Sequence, residues 1–440
     1  MRWWQTAAAH DTWLAFWSSR LAVWVAGSYA ILVVGYRPTG GAPHTGAPFG
    51  DLGELLLGQA DRWDAAYYLS IAGHAYGTAK TAAFFPLYPL SVAGLGAVVD
   101  SNLVAGIAVS LGAFAVGLYL LHRLVALELG ERCARTAVLV LAFFPSALFF
   151  SAIYAEGLLL ALTLGAVYAA RTAHWAWAGI LGALAAATHN SGVLVMAPIA
   201  LLYLYGPRAD REQPHREPPD PSPAAGAAHT GTSAEARRED GRFGLLPAAL
   251  RPRHRLGPDA LWVLLVPLGL LAFLAYMGVE FGDVLRPLHV NSTIWHRHFV
   301  PLGGLTHLPG ALWRDLRTVA KANPAKLFPA SNGPYRGAAS NLVDFAALVL
   351  ALAATVGVVR HLPVAYSAYT ILALILFTSA PKRLEPLLSL PRFILVLFPL
   401  QIAIAHWIEQ RSARRGVWLV CSGVALGVLA MQFATGRWVA

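Results

Sequence analysis

Apolar runs of about 20 residues recur along the whole sequence, and each is long enough to cross roughly 30 Å of hydrocarbon as a helix. The chain is 57% hydrophobic and only 13% charged, whereas a soluble domain carries about a quarter charged residues. Transmembrane barrels show short stretches of alternating hydrophobicity, a pattern that this sequence lacks. The sequence therefore predicts an all-helical polytopic membrane protein of about ten or eleven spans.

Composition divides the chain into two membrane parts joined by a linker. Residues 206–258 are rich in Pro, Arg, Glu, Asp and Ala and nearly devoid of aromatic residues, a composition that cannot bury a core. We expect this stretch to be a disordered cytoplasmic linker. The N-terminal membrane part covers residues 1–205 and has a large outer loop at 37–83. The C-terminal membrane part covers residues 259–440 and has an outer loop at 280–340.

The net charge of +10 comes mainly from arginines in the loops between apolar runs. This distribution is typical of positive charges that set membrane topology, so it does not indicate nucleic-acid binding. The two cysteines support neither a disulfide framework nor a zinc site. Four histidines crowd the second outer loop, but their spacing fits no closed ligand set, so we expect no metal. The four are His289, His296, His298 and His307.

Basic loops at residues 360–363 and 409–415 predict a cytoplasmic side. Counting spans from the first apolar run then places several polar residues together on the outer side. They are Asp64, Glu156, His189, Asn190, Asp283 and Arg392. The count requires an odd number of crossings between residues 84 and 122, so we expect residues 84–99 to form a short or re-entrant segment.

The stretch DRWDAAYYLSIAGHAYGTAKTAAFFPLYPL, residues 61–90, puts charged groups next to strongly apolar sequence. Charges so close to hydrocarbon are costly and are usually kept for a substrate or partner. Asp64 is the candidate general base, because a carboxylate can take the proton from an acceptor hydroxyl as that hydroxyl attacks. Its alternative role is to N-cap a helix that begins at Ala65.

The same stretch offers a cation for a phosphate and aromatic rings for the face of a sugar. The alternative interpretation of the rings is an aromatic belt at the membrane interface. The candidate substrate-binding residues here are Arg62, Trp63, Tyr67, Tyr68, His74 and Tyr76.

Residues 61–90 resemble the signature of the PIG-V mannosyltransferase family and its bacterial relatives, which runs R-W-D-A, two aromatics, I-A, and F-F-P-x-[YF]-P. Further stretches are similar to the family in the same order: FFPSALFFSAIYAEGLLLALTL (143–164), AATHNSGVLVMAPIALL (186–202), FGDVLRPLHVNSTIW (281–295) and SLPRFILVLFPL (389–400). The resemblance implies a GT-C glycosyltransferase fold, a polyprenyl-phosphate sugar donor, and a carboxylate in the first outer loop. That carboxylate corresponds to Asp64.

The resemblance also implies roles for residues outside the first loop. Glu156 matches the acidic residue of a Y-x-E block and would orient a sugar hydroxyl, or else simply begin a helix. Arg392, beside Lys382 and Arg383, would hold the donor phosphate, or else snorkel to the membrane interface. Asp283 and Trp295 match family positions that suggest no definite role.

Two blocks depart from the family. The GDV stretch lacks the usual Gln and has Asn291 nearby instead. Where relatives have Thr-Arg, this chain has Thr188-His189-Asn190, so a titratable ring replaces a permanent cation. His189 and Asn190 therefore stay candidates for substrate contact rather than for phosphate binding.

These features predict an inverting transfer of mannose from a polyprenyl-phosphate mannose to an acceptor hydroxyl, with Asp64 as base and no cofactor. The resemblance and the Ala-, Gly- and Arg-rich composition favour the outer face of a bacterial plasma membrane. A glycolipid or a protein would be the acceptor, and membrane lipids rather than nucleic acid would surround the chain. The alternatives are another lipid-linked sugar, or a lipid or solute transporter. Transporters often have two related halves, and the halves here do not match.

Overall fold

The computed structural model describes residues 6–35, 47–208, 252–254, 256–321 and 334–439. The expected linker at 206–258 therefore lies almost entirely outside the described residues, as do parts of both outer loops. The described α-helices, in chain order, are α1 (Ala7–Val34), α2 (Gly50–Leu56), α3 (Ala65–His74), α4 (Leu87–Val99), α5 (Asn102–Leu129), α6 (Glu131–Ala142), α7 (Glu156–Arg171), α8 (Trp175–Thr188), α9 (Met196–Tyr205), α10 (Leu268–Phe281), α11 (Arg286–Thr293), α12 (Gly303–Ala320), α13 (Pro334–His361), α14 (Val364–Thr378), α15 (Leu390–Leu395), α16 (Phe398–Glu409) and α17 (Ser412–Ala434).

Four described helices are long and apolar enough to cross a membrane: α1, α5, α13 and α17. A fifth candidate is the helical turn Pro258–Leu265 together with α10, which meet at an angle of 43°. Shorter apolar helices, among them α4, α8 and α14, supply further segments. The described ranges contain helices and no strand. The all-helical polytopic fold predicted from the sequence is confirmed.

Two apolar runs are broken in the structure. The run at 136–150 forms α6, which ends at Ala142, and then a 3-10 turn at Ala147–Phe150. The run at 392–408 divides into α15 and α16. Pro145 lies in the first break and Pro399 is in the first turn of the helix after the second. Proline removes a backbone donor and clashes with the preceding turn, which favours a break at both places.

The short segment expected at 84–99 is helix α4. Its 13 residues rise about 20 Å, less than the thickness of the hydrocarbon core. Asp100 then turns the chain with a left-handed backbone, and Ser101 caps α5 through a bond from the Val104 N–H at 3.3 Å. Helix α4 consequently packs back along α5.

The two membrane parts pack directly on each other. Helix α5 packs between α6 and α7, whereas α1 packs along α17, and α16 packs against α6 and α13. The buried cation Arg20 joins α1 to the end of α6 and to the turn that follows it. It donates to the carbonyls of Ala142 and Ala147 at 3.0 and 2.8 Å and to Ser151 Oγ at 2.7 Å. The turn between α6 and α7 is thereby fixed to the first helix.

Gly157 marks the closest approach of α7 to α5. A Cβ at this position would lie 2.8 Å from the carbonyl oxygen of Ser110. We expect Gly157→Ala to lower the free energy of unfolding by about 1–3 kcal/mol, because the added methyl group must separate two packed helices. Thermal unfolding of the purified protein in detergent measures this.

Gly112→Ala, within α5, is the matched control, since no atom lies within 4 Å of its added Cβ. We expect it to unfold at the wild-type temperature or slightly above, as alanine favours a helix by roughly 0.5–1 kcal/mol. Equal unfolding temperatures for both variants would contradict the close contact at Gly157.

Candidate active site

Three charged side chains from distant parts of the sequence meet in one cluster. Nη1 of Arg392 lies 2.7 Å from Oδ2 of Asp64, and Nε of Arg392 lies 2.9 Å from Oε1 of Glu156. The three side chains are 10–17% exposed. One cation therefore faces two carboxylates where water is scarce. The attraction to Arg392 offsets the desolvation cost of each carboxylate charge.

The backbone around Asp64 directs its carboxylate toward this cluster. Asp64 is the residue before α3, yet in the described structure its side chain does not cap that helix. Instead its N–H donates to the hydroxyl of Tyr154 at 3.1 Å, and that hydroxyl donates to the carbonyl of Arg62 at 3.2 Å. The Asp64 carboxylate is thus available to Arg392, and the N-cap alternative does not describe its contacts.

The other two charges are positioned by helix ends. Glu156 is the first residue of α7 and is 8% exposed, and the positive end of a helix dipole favours a carboxylate there. Arg392 lies in the short helix α15, whose Pro391 carbonyl accepts a bond from Ser146 Oγ at 2.7 Å. The guanidinium carbon of Arg392 is 5.4 Å from the ring centroid of Tyr154. Ring faces and helix ends therefore surround the cluster on several sides.

An aromatic wall lies beside the cluster. The ring of Tyr67 stacks on Phe84 at 5.0 Å and meets the edge of Trp295 at 5.6 Å. Tyr68 is buried and packs edge-on against Tyr88 at 4.9 Å. Burial, and then the negative charge of Asp64, raise the pKa of Tyr67 above its usual value. Its hydroxyl consequently stays protonated and can donate a hydrogen bond.

His189 lies near the cluster as a neutral ring. Its ring centroid is 6.0 Å from that of Phe393. Burial, and then the positive charges of Arg392 and Arg297, lower the pKa of His189 to about 3. Nδ1 accepts a bond from the Ser191 N–H at 3.2 Å, which leaves the proton on Nε2. His189, which stands where relatives have an arginine, thus carries no charge at neutral pH.

Arg62 and Trp63 are engaged elsewhere. Nε of Arg62 donates to the Ala434 carbonyl at 3.1 Å, and Nε1 of Trp63 donates to the Arg437 carbonyl at 3.3 Å. Arg62 is 1% exposed, a placement that differs from the accessible phosphate contact predicted for it. The left-handed backbone of Trp63, with φ of 58°, turns the chain between Arg62 and Asp64. These two residues fasten the loop to the end of α17.

Three further candidate residues, Tyr76, His74 and Asn190, lie outside the cluster. Tyr76 is buried and donates from its hydroxyl to the Phe84 carbonyl at 2.8 Å, so it supports the aromatic wall from behind. His74, at the end of α3, and Asn190 are exposed. The structure does not join these three to Arg392.

Asp283 and Lys382 bind neighbours within their own loops. The carboxylate of Asp283 lies 2.8 Å from Nδ1 of His289, and Lys382 Nζ lies 3.1 Å from Glu385. In the described part of the chain, no three His, Cys, Asp or Glu side chains form a group that could hold a metal.

Two residues that sequence reasoning missed lie at the cluster. Tyr154 connects Asp64 to the turn before α7, and its position in the Y-x-E block was the available signal. Arg297 lies two residues beyond the stretch 281–295, and its guanidinium carbon is 5.8 Å from the ring centroid of Phe393. Nothing in the resemblance pointed to Arg297.

A family model described as Mannosyltransferase (PIG-V) matches residues 49–204, the segment that carries Asp64, Tyr154 and Glu156. Over that segment the chain is similar to the PIG-V mannosyltransferases. GPI alpha-1,6-mannosyltransferase 2 of Rattus norvegicus is 32% identical to it over 182 residues, which are 38% of this chain and 37% of the relative. The protein of the same name from Mus musculus is 34% identical over 163 residues, 34% of this chain and 33% of the relative.

GPI mannosyltransferase 2 of Drosophila melanogaster is 32% identical over 111 residues, 23% of this chain and 25% of that relative. The chain thus spans between a quarter and somewhat over a third of the length of these curated PIG-V-type relatives. No solved structure matches. The family resemblance noted from the motifs is confirmed for residues 49–204, and the blocks at 281–295 and 389–400 lie outside that match.

The charge balance of the cluster can be tested through stability. We expect Arg392→Gln to lower the free energy of unfolding by about 3–5 kcal/mol, because it leaves two poorly solvated carboxylates without their cation. Adding Glu156→Gln to that variant should restore part of the loss, as it removes one of the two charges. Thermal unfolding in detergent reports both changes.

Arg317→Gln is the matched control, because Arg317 lies exposed on α12 against Trp313, 4.6 Å from its ring centroid. Surface changes of this kind alter stability by at most about 0.5 kcal/mol. A similar small effect for Arg392→Gln would show that the carboxylates do not depend on Arg392.

Proposed function

We propose that the chain is a glycosyltransferase that moves mannose from a polyprenyl-phosphate mannose to a hydroxyl of a glycolipid or protein acceptor. The observation that carries this proposal is the joining of Asp64 to Glu156 through Arg392 beside an aromatic wall. Such a cluster offers a base, a cation and hydrogen-bond acceptors in a place from which water is largely excluded. The likeness of residues 49–204 to mannosyltransferases supports the choice of sugar.

In this mechanism Asp64 is the general base. It takes the proton from the acceptor hydroxyl while that oxygen forms a bond to the anomeric carbon. The bond from the anomeric carbon to the phosphate oxygen breaks on the opposite face, so that polyprenyl phosphate leaves and the configuration inverts. No covalent sugar intermediate is required, and the donor's phosphate ester is the only activation that the reaction needs.

Arg392 controls access to that base. Its ion pair holds the Asp64 carboxylate in place, so an acceptor hydroxyl must compete with the guanidinium for the carboxylate oxygens. A donor phosphate that approaches Arg392 competes for the same guanidinium and relieves Asp64 of part of this interaction. Binding of the donor would therefore prepare the base for the acceptor.

Glu156 has an oxygen to offer a sugar. Oε2 of Glu156 is buried and has no hydrogen-bond partner among the described residues, whereas Oε1 faces Arg392. Buried polar atoms normally have a partner, and a mannose hydroxyl would provide one. Glu156 would thus orient the sugar while Asp64 acts on the acceptor.

An apolar groove supports a lipid-linked donor. A cavity of about 730 Å³ lies between α5, α7 and α8, and its lining includes Gly112, Leu158, Gly165 and Leu181. The lining of the groove runs along α7 from Leu158, near the N-terminal end of the helix that Glu156 begins. We propose that the polyprenyl chain lies in this groove.

Filling the groove should distinguish donors by the length of their chain. We expect Gly112→Phe to raise KM about tenfold or more for a long polyprenyl donor, because several buried isoprene carbons lose their contacts at about 0.8 kcal/mol per CH₂. A donor with one or two isoprene units should be transferred as by the wild type. Equal effects on both donors would place the chain elsewhere.

The distribution of basic loops supports an extracytoplasmic site. Arg132 in α6 lies 2.7 Å from Glu409 at the end of α16, so basic segments of both membrane parts meet at that end. Arg392 lies just before the beginning of α16, one helix length away. Because positively charged loops stay in the cytoplasm, we propose that the cluster faces outward across a bacterial plasma membrane.

Sugar transfer in membranes supplied with radiolabelled polyprenyl-phosphate mannose tests the proposal. We expect Asp64→Asn to express and insert normally but to transfer about 10²–10⁴-fold more slowly, because the amide cannot accept the proton. Asp100→Asn is the matched control, since Asp100 lies in a left-handed turn between α4 and α5 that asparagine tolerates well.

Each contrary outcome removes a different part of the proposal. Wild-type activity in Asp64→Asn would keep the enzyme class and reject the base. Transfer from another lipid-linked sugar, but not from the mannose donor, would reject the sugar. No transfer from any lipid-linked donor would favour a transporter that uses the same polar groups for binding.

A further inference from the structure

A strained turn in the second outer loop carries two side chains toward the cluster. His296 has a left-handed backbone with φ of 53°, a conformation that is costly for a residue other than glycine. Backbone bonds hold this turn, because Trp295 N–H donates to the Val290 carbonyl at 3.2 Å and Arg297 N–H donates to the Asn291 carbonyl at 2.8 Å. Trp295 and Arg297 lie on either side of the strained residue.

The same backbone strain occurs in the two other chain segments that contribute to the cluster. Trp63 precedes Asp64 with φ of 58°, and Ser389 precedes the helix of Arg392 with φ of 71°. Strained residues persist where the surroundings hold them, and they concentrate at binding and catalytic sites. Of the eight non-glycine residues with positive φ in the described ranges, three adjoin the segments that carry Asp64, Arg297 and Arg392.

Arg297 is a cation with a donor to spare. Its Nη2 donates to the Leu388 carbonyl at 2.6 Å, which fixes the side chain. Its Nε is buried without a hydrogen-bond partner among the described residues. Arg392, by contrast, already faces two carboxylates. A guanidinium normally directs its N–H groups at carboxylates or phosphates, often two at a time.

The electrostatics around Arg297 agree with its position. Burial, followed by the positive charge of Arg392, lowers the pKa of Arg297 to about 10, whereas the negative charge of Asp64 acts in the opposite direction. The guanidinium remains charged at neutral pH. Two neighbouring cations that repel each other create a place that favours an incoming anion.

Trp295 offers a hydrogen bond from within the aromatic wall. Its ring lies 5.6 Å from Tyr67 and 6.3 Å from Phe84. Its Nε1–H is buried and, within the described ranges, has no acceptor. Buried indole N–H groups usually have one, and a sugar hydroxyl oxygen would serve.

We propose that the turn Trp295-His296-Arg297 is the donor-recognition element: Arg297 binds the phosphodiester of the lipid-linked sugar, and Trp295 donates a hydrogen bond to a hydroxyl of that sugar. This inference rests on the proposed function and names new residues for it. The base and the donor contact then come from different membrane parts, and Arg297 takes the phosphate role that the sequence had suggested for Arg62.

Direct binding to the purified full chain in nanodiscs tests this assignment. The probes are a polyprenyl phosphate, the uncharged polyprenol of the same length, and polyprenyl-phosphate mannose. We expect Arg297→Gln to bind polyprenyl phosphate about 10- to 100-fold more weakly, because a charge-assisted contact is lost, and to bind polyprenol as the wild type does. Glutamine keeps an N–H for the Leu388 carbonyl, and Arg297→Lys should recover part of the affinity because it keeps the charge.

Trp295→Phe separates the two contacts. This variant keeps a ring against Tyr67 but loses the N–H. We expect it to bind polyprenyl-phosphate mannose several-fold more weakly, as for one lost hydrogen bond, and to bind polyprenyl phosphate unchanged. In transfer assays both variants should raise KM for the donor more than they lower kcat.

Arg317→Gln is the matched control, since Arg317 is an exposed guanidinium that packs over the ring of Trp313 at 4.6 Å. We expect wild-type binding from it. The assignment would be overturned if Arg297→Gln bound polyprenyl phosphate with wild-type affinity, or if it lost equal affinity for polyprenol and polyprenyl phosphate. The proposed function would survive that outcome as long as the wild type transfers mannose. A wild type that binds polyprenyl phosphate through Arg297 but transfers no sugar would instead keep the assignment and reject the transferase.

Discussion

The ion pairs of Arg392 are the interaction on which the candidate site depends. Asp64, Glu156 and Arg392 come from segments separated by hundreds of residues or by a membrane crossing, and each charge is costly where solvent is scarce. Only their mutual contact makes the arrangement tolerable. The folding of both membrane parts must therefore be accurate at this one place. An inactive chain could replace the three groups with apolar residues at little cost, so their presence argues for chemistry.

Broken helices make that contact geometrically possible. If both segments were continuous helices, their backbone groups would be hydrogen-bonded within each helix. Neither Arg392 nor the turn before Glu156 would then lie at a helix end. The breaks after Ala142 and after Leu395 instead create helix ends at the level of the cluster. Non-helical backbone inside a membrane protein is tolerated only where protein groups satisfy it. Ser146 and the buried Arg20 donate hydrogen bonds to buried backbone carbonyls at these breaks.

The sequence was sufficient for the all-helical class. It also selected Asp64, Glu156 and Arg392 among six polar residues expected on one side, but their contact was visible only in the structure. The sequence was insufficient where a single backbone torsion decides which way the neighbouring side chains point. Arg62 is two residues from Asp64, yet the left-handed Trp63 between them separates their partners. Tyr76 shows the same limit, since its buried hydroxyl donates to the Phe84 carbonyl and its ring packs against Phe273. Arg297 had no motif to mark it, and only the tertiary contacts bring it to Phe393.

The attachment of the first outer loop to the end of α17 has a consequence for biogenesis. Arg62 and Trp63 reach the carbonyls of Ala434 and Arg437, groups that the ribosome adds more than three hundred residues later. The loop that carries Asp64 thus lacks its fastening while most of the chain is being inserted. A nascent or truncated protein would hold Asp64 loosely. The cluster of Asp64, Glu156 and Arg392 would take its final geometry only after α17 has packed onto the fold.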